Sequence, residues 1–137
     1  MHRILALALT TCLVWPGGAG AQEWALGGYD AVGFAQQGRP IPGRSDITTL
    51  WRGKVWHFAT EENRARFEAN PRAFVPGFGG LCPVSLAEGK RVPGDPQHVV
   101  VIGDTLYLLR SGHDERRLRE APRQVLGRAA EMWAQLR

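Results

Sequence analysis

Cys82 and His57 are the two side chains best suited to soft-metal chemistry in this sequence. Cys82 lies in Pro76-Gly77-Phe78-Gly79-Gly80-Leu81-Cys82-Pro83, where three glycines and two prolines give a fixed, irregular backbone that another group can approach closely. A thiolate there would select Cu(I) and other soft metals. The bland alternative is that a free cysteine packs as a small buried hydrophobe. His57 falls in Val55-Trp56-His57-Phe58, a strand-like run in which it alternates with two aromatic neighbours. If Trp56 and Phe58 face the core, His57 faces the other side, toward the Cys82 loop, where a neutral imidazole would pair with the thiolate. A strand histidine that is simply hydrogen-bonded is the competing expectation.

Other candidates are weaker. His98 and His113 fall in turns or at strand edges, and Asp30 beside Tyr29 suits a cap or turn better than a ligand set. One cysteine and one histidine do not fill a tetrahedral zinc site, which takes four ligands, or three plus water. They suffice for low-coordinate Cu(I), or for a site shared between two chains. Catalysis has no support, because no third group orients a Cys82–His57 pair and no phosphate loop, dinucleotide fingerprint or spaced carboxylate pair occurs. The expected catalytic set is therefore empty.

The elements that must hold these residues can be read in outline. Val55 to Phe58 runs directly into a helix that Thr60 can cap, with Glu61 and Glu62 in its first turn and Asn70-Pro71 stopping it. Ile47 to Trp51 is a strand, and Arg52-Gly53-Lys54 turns it back against Val55 to Phe58. Val99 to Ile102 and Leu106 to Leu109 form a second hairpin around Gly103-Asp104. A final helix from Pro122 carries Val125, Ala129, Met132, Trp133 and Leu136 on one stripe. The expected fold is α+β, a small and mostly antiparallel sheet of two hairpins with two or three covering helices. No internal repeat is evident in the residue types.

The first 21 residues belong to a different class. His2 and Arg3 precede an apolar run from Ile4 to Trp15, Pro16-Gly17-Gly18 breaks it, and Ala19-Gly20-Ala21 has the small-x-small form of a cleavage site. A cleaved export signal over 1–21 is expected, leaving one domain over 22–137 in the periplasm or outside the cell. Losing Arg3 reduces 17 basic residues to 16 against 13 acidic ones, a net charge of +3. The arginines at 110, 116, 117, 119 and 123 alternate with acids, which describes a solvated helix face rather than a nucleic-acid surface. With Cys12 removed, Cys82 is the single mature thiol, so it must be buried, bound to something, or bridged to a second copy. The mature chain is expected to carry no membrane span.

Laid out in order, the mature chain resembles the YHS domain family, in particular its exported bacterial members. The resemblance rests on Gly28-Tyr29-Asp30-x-Val32, Trp51-x-Gly53-x-Val55-Trp56-x-Phe58, Glu62-Asn63 with Phe67-x-x-Asn70-Pro71, Pro76-x-Phe78-Gly79-Gly80-x-Cys82, Asp95-Pro96 and Leu106-Tyr107-Leu108. The family's Tyr-His-Ser pattern corresponds here to Trp56-His57 with Thr60 in place of serine. The resemblance implies a small non-enzymatic domain associated with heavy-metal handling, copper among the metals, and a metal-handling protein as partner. Metal-associated members typically carry two cysteines, and at those places this chain has Gly33 and Ala59. Two expectations follow: an exported domain that binds or delivers a soft metal such as copper through Cys82 and His57, or a metal-free interaction module that keeps the fold without the cysteine pair.

Overall fold

A computed structural model describes residues 22–137. The export signal expected over 1–21 lies outside the described residues. The architecture is α+β, as the patterning predicts, with two antiparallel two-stranded sheets rather than one continuous sheet. The described helices are α1 (Ala31–Gln37), α2 (Glu61–Ala69), α3 (Pro83–Ala87), α4 (Gly112–Glu120) and α5 (Pro122–Leu136), more than the two or three expected. The strands are β1 (Arg44–Trp51), β2 (Lys54–Phe58), β3 (Asp95–Ile102) and β4 (Thr105–Leu109). Both leading strands start earlier than their β-branched runs suggest, because a register irregularity lets Arg44 pair Phe58 and Asp95 pair Leu109 ahead of the regular ladder.

The chain contains an internal repeat that its residue types conceal. In each unit a tight left-handed turn comes first: Leu26 and Gly27 have φ of 52° and 59°, Phe78 and Gly79 have φ of 54° and 61°. A bulky residue in this region is strained by roughly 1–2 kcal/mol, so its use at both places identifies a specific shared backbone. A short helix, an eight-residue strand, a two-residue turn, a five-residue strand and a nine-residue helix follow in both units. Single bridges Tyr29–Pro42 and Leu81–Pro93 tie the opening turn to the approach of the long strand. The nine-residue helices are capped alike, Thr60 Oγ1 accepting from Asn63 N at 3.1 Å and Ser111 Oγ from Asp114 N at 3.2 Å.

The core residues show why the repeat is hard to see. Phe34, Phe58 and Phe67 are fully buried in the first unit, and Leu86, Leu109 and Leu118 are fully buried at the matching places of the second. Aromatic packing at these three places in one unit is thus replaced by aliphatic packing in the other, which keeps the pattern of burial while changing the residue types. The two units share a core, since Val99, Leu106 and Leu108 pack with the first-unit aromatics. Helix α5 lies outside the repeat. It buries Ala129 and leans Val125 and Leu126 on the cluster around Cys82 and Leu118.

Candidate functional site

The repeat sets two polar pairs in equivalent places, each built on a fully buried side chain, Asp30 in the first unit and Cys82 in the second. Asp30 precedes α1, and its Oδ1 accepts from Val32 N and Gly33 N, both at 2.9 Å. Its Oδ2 accepts from Ala59 N at 2.8 Å and Asn63 Nδ2 at 2.7 Å. One fully buried carboxylate thereby caps α1 and fastens it to the β2–α2 junction. This is the capping role expected of Asp30. Cys82 precedes α3 in the same way, fully buried, with Sγ 3.7 Å from Asp114 Oδ2. Asp114 is fully buried too, and Arg110 Nη2 reaches its Oδ2 at 3.2 Å.

The two positions where the resemblance places cysteines come together in space, since the N–H groups of Gly33 and Ala59 bind one carboxylate. Neither offers a thiol. A β-carbon on Gly33 would lie 2.9 Å from Ile41 Cβ, so that place is filled by the neighbouring loop.

His57 does not join Cys82. It is 4% exposed on β2, and its ring packs on Trp24 with centroids 4.4 Å apart. Its Nδ1 is buried without a hydrogen-bond partner. An unsatisfied buried group of this kind costs about 1–3 kcal/mol. Among the described residues no three histidine, cysteine, aspartate or glutamate side chains approach closely enough to hold a metal ion, so His57 does not complete a set with Cys82 and Asp114. His98 Nδ1 pairs with Glu115 Oε1 at 2.9 Å, and His113 is exposed with Nδ1 3.4 Å from Asp114 Oδ1.

The tryptophans converge instead. Trp24, Trp51, Trp56 and Trp133 all line one groove of 610 Å³ whose walls come from both units and from α5. Trp133, which the sequence places on the apolar stripe of the last helix, completes the groove. Trp56 donates from Nε1 to the backbone Trp51 O at 3.1 Å, which fixes the Trp56 ring, and the Trp51 ring packs edge-on against it with centroids 5.7 Å apart. At the mouth Lys54 pairs with Glu23 at 3.0 Å, and the Arg52 guanidinium rests 4.5 Å from the Trp51 ring centroid.

Charge elsewhere is on the surface. Glu88 Oε1, just after α3, accepts from Arg117 Nη1 of α4 at 2.8 Å, and this hydrogen bond holds the Glu88 carboxyl below its ordinary range. Arg44 does the same for Asp46. No described helix is long and apolar enough to cross a membrane. Comparison with known protein families, curated proteins and solved structures gives no match.

Proposed function

We propose that this chain is an exported, non-enzymatic binding module that keeps a single YHS-like domain, built from two similar structural units, and works without a resident metal. The observation that carries this reading is the convergence of Trp24, Trp51, Trp56 and Trp133 on one groove between the units. Aromatic walls give large contact area to an apolar ligand, and at the mouth Arg52, beside the Lys54–Glu23 ion pair, supplies a cation for a negative charge on it. The loss of the cysteine pair supports the metal-free half, since Gly33 has no room for a side chain and Asp30 already occupies the space between positions 33 and 59 with four hydrogen bonds. Export rests on the apolar N-terminal segment and the resemblance on the quoted motifs.

Two titrations test the reading. A naphthalene sulfonate dye is expected to bind with energy transfer from tryptophan, and Trp133→Ala to weaken that binding. Reduced mature protein titrated anaerobically with Cu(I) against a chelator is expected to take up none. Tight stoichiometric copper binding that disappears in Cys82→Ser would overturn the metal-free reading in favour of copper delivery through Cys82.

A further inference from the structure

His57 and the cavity it lines form a second site, which adjoins the tryptophan groove at Trp24. The cavity has a volume of 280 Å³ and is walled by Trp24, Tyr29, Ser45 and His57 over a glycine floor at Gly28 and Gly43. The repeat supplies an internal control for its purpose. Gly43 packs against His57, where an added β-carbon would be 2.5 Å from His57 Cβ, and Gly94 packs against Leu108 in the same manner. Register agrees, since His57 pairs Thr48 as Leu108 pairs Val99. At the other matching places the second unit has Leu81 for Tyr29, Pro96 for Ser45 and Pro76 for Trp24. The unit therefore folds with only apolar side chains here. The first unit nevertheless buries an imidazole whose Nδ1 has no partner.

We infer that this cavity binds a small planar organic carboxylate, its ring against Trp24 and its oxygens on the imidazole of His57. The lining offers hydroxyl and imidazole donors from Tyr29, Ser45 and His57, and no carboxylate to repel an anion. A hydrogen bond from the imidazole N–H to a carboxylate is charge-assisted because the acceptor is ionised, so the site prefers an acid to its neutral amide. Opening Nδ1 to a ligand requires Trp24 to shift on the ring. Trp24 is 57% exposed, which leaves it free to do so.

Benzoate and benzamide are the probes, followed through the His57 imidazole resonances of the full mature chain. Benzoate is expected to move those resonances saturably and benzamide to bind about tenfold more weakly. His57→Leu, which installs the residue the second unit carries, should weaken benzoate binding by about tenfold or more, read from line broadening of the benzoate signals themselves, while the melting temperature is retained or rises. Trp133→Ala, which damages only the other groove, should leave benzoate binding intact. Failure of benzoate to move the His57 resonances, equal binding of the amide, or undiminished benzoate binding in His57→Leu overturns the proposal. So does a His57→Leu protein that fails to fold, because the comparison with Leu108 would then be wrong.

Discussion

Cys82 occupies in the second unit the place that Asp30 occupies in the first. The N–H of each donates 2.8 Å to the strand approach, Asp30 to Ile41 O and Cys82 to Val92 O, and the carbonyl of each accepts at 2.9 Å from the residue four further on. Each side chain meets the third residue of the following nine-residue helix, Asn63 or Asp114. The polar roles are exchanged: a carboxylate accepts from an amide in one unit, and a thiol donates to a carboxylate in the other. The consequences of deletion should differ. Asp30→Ala strands four donors and removes a helix cap, and is expected to cost roughly 3 kcal/mol or more. Cys82→Ala loses one weak hydrogen bond and a sulfur-sized volume, about 1–2 kcal/mol. Urea unfolding of both variants checks the order; equal losses would contradict it.

Glycines at matching places give a second test. A β-carbon on Gly43 would sit 2.7 Å from His57 C and 2.8 Å from Gly28 O, and one on Gly94 would sit 2.5 Å from Leu108 C. Backbone cannot yield as a flexible side chain does, so Gly43→Ala and Gly94→Ala should each destabilise by about 2–4 kcal/mol. Gly53→Ala is the control, with positive φ and nothing within 4 Å, and should cost only about 1 kcal/mol. Thermal melts of the three proteins decide whether the two units share one close approach of helix-side loop to strand.

Much of the first unit was legible in the sequence. The Thr60 cap, the Asn70-Pro71 stop and the Arg52-Gly53 turn are local chemistry and fold as read. The second unit was legible as a hairpin but not as a copy. Phe34, Phe58 and Phe67 become Leu86, Leu109 and Leu118, so neighbouring residue types differ even where burial agrees. The signal that could have shown it is the recurrence of Gly-Gly, Pro-Gly and a hydroxyl cap: Gly27-Gly28 with Gly79-Gly80, Pro42-Gly43 with Pro93-Gly94, Thr60 with Ser111. Alternation holds on β2, where Trp56 and Phe58 pack on Phe67 and His57 on the opposite side, but His57 meets Trp24 there rather than the Cys82 loop, and no local residue pattern shows which segment covers that face. Asp114 was missed as the thiol's partner because a first-turn acid normally reads as a dipole match on a solvated face.

Acid should act on the link between α3 and α4. Arg117 lowers the Glu88 carboxyl below its usual 4.5, so the folded chain holds that proton less readily than the unfolded chain. A depressed carboxylate contributes stability that is present above its unfolded value and is lost as pH falls through the folded one. Glu88→Gln should therefore be slightly less stable than wild type at neutral pH, and the two should converge below roughly pH 4. Both partners are on the surface, so high salt should narrow the neutral gap. Chemical unfolding across pH 3 to 7, at low and high salt, measures it; a gap that persists in acid would assign the effect to side-chain packing instead.

Burial of the thiol sets the last expectation. Cys82 has no exposed surface, and Asp114, Val84, Val100, Leu109 and Leu118 surround it. An alkylating reagent needs an accessible thiolate, so native Cys82 should react only when the second unit opens. Maleimide labelling followed by mass spectrometry should show a rate far below that of the urea-unfolded chain, rising in step with Gly94→Ala, which loosens the same unit. A disulfide to a second copy needs the same opening, so the folded protein should run as a monomer on a non-reducing gel and dimerise only after mild denaturation in air. Rapid native labelling would mean that Sγ reaches solvent, and the copper and dimer expectations for Cys82 would then regain their physical basis.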